Sequence, residues 1–141
     1  MTGKIYPCLW FDGNAKEAAS FYCSVFKNSR ITSESSIVVT FELDGKNIMC
    51  LNGGPHFKFN EAVSFVIPCE DQAEIDYYWD SLTSDGGTES RCGWLKDKYG
   101  LSWQVIPGNM AQFMTSPERS ARVMEALLKM NKLDIEILQN A

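Results

Sequence analysis

One order of signals occurs twice in this chain, and it limits the folds available: an apolar run, a helix-capping residue, an amphipathic helix, then short β-prone runs. In the first pass Ile5–Phe11 is an apolar run closed by Asp12-Gly13, which predicts a buried strand. Asn14-x-x-Glu17 has the form of a capping box. Behind it Ala15, Ala18, Ala19, Tyr22, Val25 and Phe26 recur at helical spacing, a narrow Ala-lined face suited to close packing on a sheet. Lys27-Asn28-Ser29 ends the helix. Ile37–Leu43, the turn Asp44-Gly45 and Asn47–Asn52 predict a hairpin, and Asn52-Gly53-Gly54-Pro55 reads as a loop.

The second pass repeats the order. Ala62–Cys69 is the apolar strand, Asp71-x-x-Glu74 the cap, and Ile75, Tyr78, Trp79 and Leu82 the helical stripe, stopped at Asp85-Gly86-Gly87. Short strands are expected around Thr88–Arg91, Gly93–Lys96 and Leu101–Pro107, with a turn at Asp97–Gly100. The expected helices are near 14–27 and 71–84. A tail follows. Ser116-Pro117-Glu118 starts a helix with Pro at its first position, and Ala121, Met124, Leu127 and Leu128 are expected on one face; Leu133–Leu138 adds a last short amphipathic piece.

With 141 residues and 45% apolar content, including 8 Phe, 5 Tyr and 4 Trp, the chain supports one core and excludes disorder as its main state. The expected organisation is a single domain, 1–141, with a first βαβββ module at 4–52, a second at 61–107 and a helical tail at 108–141. No apolar stretch approaches a membrane span, and the start has no secretory pattern. The net charge is −5 and the Lys and Arg residues are scattered, which argues against a nucleic-acid partner. Five cysteines, at 8, 23, 50, 69 and 92, form no C-x-x-C. Cys8, Cys50 and Cys69 lie in apolar runs and are expected as reduced core thiols of a cytoplasmic protein. The single His56 has no Cys within zinc-ligand spacing.

Several blocks together resemble a known family. They are Pro7-Cys8-Leu9-Trp10-Phe11-Asp12-Gly13-Asn14-Ala15 with Phe21-Tyr22, Leu51–Phe59, Cys92–Asp97 and Tyr99–Gln104. They look like the PhnB-like family, which carries the name 3-demethylubiquinone-9 3-methyltransferase, within the vicinal-oxygen-chelate superfamily of glyoxalase I, extradiol dioxygenases and bleomycin-resistance proteins. The segment Arg30–Ile37 is shorter than that family usually has, which implies a clipped hairpin. The resemblance implies an α+β fold: tandem βαβββ modules forming a cupped mixed sheet, plus a C-terminal helix. It further implies a homodimer and a small-molecule ligand in the cup. Metal-dependent members hold a divalent cation through His, Glu or Gln on the first and last strands of each module.

Here those positions carry Ile5, Tyr6, Pro7 and Cys8, then Ala62 and Ser64, then Gln104, with Asn52 and His56 as the polar candidates near the end of the first module. No cofactor is therefore expected, and a divalent metal is the alternative. The methyltransferase name implies an adenosylmethionine site, but no G-x-G-x-x-G occurs. Strand alternation sends Trp10 and Gln104 toward the cup. Cys8, Trp10, Asn52, His56, Ser64, Trp94 and Gln104 are the candidate pocket residues. Gln104 either hydrogen-bonds a ligand or is satisfied by a neighbour; Trp10 and Trp94 either stack on a flat ligand or fill space; His56 is either a general base or a plain loop histidine. The readings in competition are a metal-free small-molecule binder, a metal-dependent lyase, isomerase or dioxygenase, the named methyltransferase, and a sequestering protein of the bleomycin-resistance kind.

Overall fold

The repeated order is present in the computed structural model, which describes residues 3–141. Strand β1 (Cys8–Phe11), helix α1 (Ala15–Val25) and strands β2 (Arg30–Glu34), β3 (Val38–Leu43) and β4 (Lys46–Asn52) come first. Strand β5 (Ser64–Cys69), helix α2 (Gln72–Thr83) and strands β6 (Thr88–Glu89), β7 (Trp94–Lys96) and β8 (Ser102–Pro107) repeat them. Helices α3 (Pro117–Leu127) and α4 (Ile135–Gln139) form the tail. Two compact units divide the chain, Met1–Phe59 and Asn60–Ala141, so the tail belongs with the second module.

Each unit holds one four-stranded mixed sheet, in the orders β1-β4-β3-β2 and β5-β8-β7-β6. The first and last strands of each module run parallel, Leu9 beside Cys50 and Phe65 beside Trp103, while the remaining pairs are antiparallel. A single helix covers one face of each sheet. In the first unit Ala15, Ala18, Ala19 and Tyr22 of α1 are buried with Leu9, Phe11, Val39, Phe41, Ile48 and Cys50, and the Tyr22 and Phe41 rings stack 6.0 Å apart. The small Ala side chains are what let the helix backbone approach the sheet. In the second unit Ile75, Trp79 and Leu82 of α2 are buried, as are Ile67, Cys69, Leu95, Trp103 and Val105. Each such aliphatic or aromatic side chain contributes about 1.5–3 kcal/mol on leaving water.

The structure departs from the sequence expectations at five places. Strand β1 begins at Cys8, not Ile5, because Pro7 has no N–H to give the ladder; its carbonyl still accepts from Met49 N at 3.0 Å. Cys8 is exposed, since its neighbour Leu9 takes the inward direction. The short Arg30–Ile37 segment still contains a strand, and β2 pairs with β3 from Arg30 opposite Glu42 to Glu34 opposite Val39, with a bulge between Ile31 and Ser33. Asn14 stands at the N-cap of α1 but its side chain caps nothing, as its φ of −114° and ψ of 28° lie away from the extended conformation of an N-cap. By contrast Asp71 and Ser116 cap α2 and α3 through Glu74 N and Arg119 N.

The fifth departure is in the tail. Val123 and Leu127, one turn apart, are buried with Phe113, Leu133 and Leu138, while Met124 and Leu128 stay 47% and 57% exposed. The stripe expected on one face is therefore divided, because the chain turns back after Leu128 and Leu133 packs under the Val123–Leu127 ridge. The turn is tied to the second module by backbone bonds from Cys92 N to Met130 O and from Gly93 N to Asn131 O, both 2.8 Å.

Candidate functional site

The sheet face away from the helix is the one that can meet a ligand, and strand alternation decides who stands on it. In the first unit Cys8, Met49, Thr40 and Ser33 form one row across β1, β4, β3 and β2, and Trp10, Leu51 and Val38 form the next. The hydroxyls of Thr32, Ser33 and Thr40 make a cluster, with Thr40 Oγ1 2.9 Å from Thr32 Oγ1 and 2.5 Å from Ser33 Oγ. Partial burial pushes the Cys8 thiol up, so it is a protonated thiol at neutral pH. Burial drives Cys50 and Cys69, on the helix side, up to about 12.

Trp10 is held from above by the loop after β4. Its indole N–H donates to Gly54 O at 2.8 Å, its ring meets Phe57 edge-on at 4.9 Å, and a Cβ at Gly53 would overlap the indole. Gly53-Gly54 is thus a seat for Trp10. Asn52 is committed too. Its Oδ1 accepts from Ala15 N at 2.9 Å and its amide donates to Ser36 O at 3.1 Å, so it supplies the cap that Asn14 does not. The cause is register: β4 runs parallel to β1 with Asn52 beside Phe11, next to the start of α1. His56 is exposed in the loop.

In the second unit the rows are Ser64, Ser102, Lys96 and Thr88, then Val66, Gln104 and Trp94, then Pro68 and Ile106. Gln104 Nε2 lies 3.0 Å from Ser64 Oγ, so two of the residues singled out in the sequence meet, and Trp94 is directly opposite Gln104 on the neighbouring strand. The other amide atom of Gln104 has no hydrogen-bond partner among the described residues. Ser102 Oγ is buried with none either. Val66 is 51% exposed and Trp94 half-buried. Ser102 and Thr40 were not singled out from the sequence, although the period of two that points Gln104 to this face also points Ser102 there. Below the β7–β8 turn, Asp97 is 3% exposed and accepts from Tyr99 N, Leu101 N and Trp103 Nε1 at 2.9–3.1 Å. It fixes the turn that starts β8.

The donors do not suit a divalent metal. In the first unit Cys8 offers a protonated thiol, in the second Ser64 and Gln104 offer a hydroxyl and an amide, and among the described residues no group of three or more His, Cys, Asp and Glu is placed to hold an ion. A methyl donor of the adenosylmethionine type finds no fit either: each sheet has one parallel pair, and the turns into α1 and α2, Asp12-Gly13-Asn14 and Glu70-Asp71, are not glycine-rich phosphate cradles. No helix among the described residues is long and apolar enough to cross a membrane.

The folds of known proteins agree with this geometry. A PhnB protein of Bacillus cereus bearing the 3-demethylubiquinone-9 3-methyltransferase name is 34% identical over 74% of this chain and 99% of its own, with a TM-score of 0.68. The glyoxalase/bleomycin resistance protein/dioxygenase of Alicyclobacillus acidocaldarius is 13% identical over 80% of this chain and 96% of its own, TM-score 0.52. The fosfomycin resistance protein FosX of Listeria monocytogenes, in its complex with Mn(II) and sulfate, is 17% identical over 86% and 98%, TM-score 0.56. The last two speak for the fold alone. No curated protein is significantly similar to the chain. The family model named 3-demethylubiquinone-9 3-methyltransferase matches residues 3–106, from ahead of β1 almost to the end of β8. On that match and the likeness to the Bacillus cereus protein, the chain belongs to this PhnB-like family of the glyoxalase/bleomycin-resistance fold.

Proposed function

We propose that this protein binds a small organic molecule on the open faces of its sheets and does so without a catalytic metal, in the cytoplasm and as a homodimer. The observation that carries the reading is the face of β5–β8. Gln104, Ser64 and Ser102 form a polar group with unspent hydrogen-bonding capacity, set between apolar Val66, Ile106 and Trp94. A few convergent polar groups in an apolar surround are the usual make-up of a small-molecule site. The pocket role of Cys8 and Trp10 is the corresponding proposal for the first unit. Asn52 serves the fold, and His56 has no partner among the described residues that would make it a base. The dimer is proposed because the exposed Val66, Met124 and Leu128 favour cover by a second copy.

Native mass spectrometry and elemental analysis of protein purified without a histidine tag test the reading. The expected result is a retained organic compound, lost in Gln104→Leu, with metal well below one equivalent. One equivalent of Mn, Fe, Ni or Zn that disappears in Gln104→Ala would overturn the metal-free mode. Saturable binding of adenosylmethionine would restore the methyltransferase reading.

A further inference from the structure

The charged strand residues of the two open faces are already neutralised. Arg30 and Glu42, at the edge of the first face, pair at 3.3 Å, and Lys96, on the second, pairs with Glu61. What remains beside Trp94 is uncharged: the unpartnered amide atom of Gln104 and the buried, unpartnered hydroxyl of Ser102. We infer that the face of β5–β8 selects an uncharged, planar, hydrogen-bonding group, of the aromatic amide or phenol class, and rejects carboxylates, phosphates and ammonium ions. The inference rests on the reading that this face holds a ligand.

The physical reason is the cost of burying charge. Lys96 and Glu61 pair with each other at the exposed rim of the face, 40% and 64% exposed, and with that pair spent on itself an ion seated against Gln104 and Ser102 would lose water without gaining a counter-charge. A neutral amide or phenol needs no counter-charge. It can both donate to and accept from Gln104, whose amide presents either function. Its ring can lie against Trp94, which stands opposite Gln104 on β7. The selectivity is thus set by which groups on this face are already spent.

Three probes with the same ring separate the possibilities: benzamide, benzoate and benzylammonium, titrated into isotope-labelled protein and followed by NMR. Benzamide is expected to shift the Gln104 side-chain amide and the Trp94 indole signals, with benzoate and benzylammonium at least about tenfold weaker. Gln104→Leu should weaken benzamide about tenfold and leave the Trp103 indole signal, on the opposite sheet face, in place. Gln104→Glu, a second variant of similar shape, should turn the preference toward benzylammonium. If benzoate or benzylammonium binds the unaltered protein as well as benzamide does, the neutral class is wrong while the ligand site stands. If none of the three moves the Gln104 and Trp94 signals, the inference and the binding reading both fall.

Discussion

Asn14 and Asn52 both lie at the start of α1, but only Asn52 binds its backbone. Asn52→Ala removes the acceptor of Ala15 N and the donor to Ser36 O, and should cost about 1–2 kcal/mol in urea unfolding. Asn14→Ala should cost about 0.5 kcal/mol or less, and equal losses would show that the capping assignment is wrong. Asp97 poses a second test at this scale. Its carboxylate accepts three N–H groups in a nearly water-free turn, and a side-chain amide in its place would turn a donor toward one of them. Asp97→Asn is therefore expected to lose on the order of 2–3 kcal/mol.

Among the elements, the tail depends most on contacts distant in sequence. Gln72 at the start of α2 grips it with both ends of its amide: Nε2 donates to Leu133 O and Oε1 accepts from Ile135 N, each at 2.9 Å. Hydrogen bonds from Lys132 first, then from Gln72, hold the Asp76 carboxyl below the usual carboxylate range, and Asp76 in turn raises Lys132. A carboxyl with a lowered folded pKa contributes stability above its unfolded pKa of about 4 and loses it as pH falls through the folded value. The tail should thus loosen in acid before the modules do, and Asp76→Asn should flatten that acid limb; hydrogen exchange at Leu133–Leu138 reads both. The pair is half-exposed, so its share is small, about 0–1 kcal/mol. Gly93 is the stricter point. Its φ is +85°, and a Cβ would lie 2.8 Å from Val105 O and 3.2 Å from Leu133. Gly93→Ala should cost more than Gly54→Ala, where φ is +102° but no atom is within reach, by about 1–3 kcal/mol in thermal or urea unfolding.

Association is decided at the scale of the whole molecule. Val66, Met124 and Leu128 expose apolar surface that water disfavours. Light scattering is expected to give about twice the 15.9 kDa chain mass at micromolar concentration. Because Leu127 belongs to the tail's own core, Leu127→Ala should unfold the tail, whereas Met124→Glu with Leu128→Glu should leave the fold intact and act only on the dimer. A dimer unchanged by the double variant would place its interface on the sheet faces instead. A monomeric mass for the unaltered chain would remove the dimer altogether.

Local chemistry was enough for the repeated strand–helix order, both principal helices, the Asp71 and Ser116 caps and the direction of Trp10 and Gln104, since each depends on residues a few positions apart. The family was legible for the same reason, in blocks such as Cys92–Asp97. Strand β2 was not, because Arg-Ile-Thr-Ser-Glu has only one apolar residue and gains its strand character from pairing with β3. It took long-range packing to make Asn52 rather than Asn14 the cap of α1, to bring Gln104 to Ser64, and to put Val123 in place of Met124 on the buried side of α3. The first two depend on partners 37 and 40 residues away, and the third on Leu133 and Leu138, which pack against Val123 once the chain has turned back. Register and chain reversal bring such partners together, and neither leaves a mark at short range in the sequence.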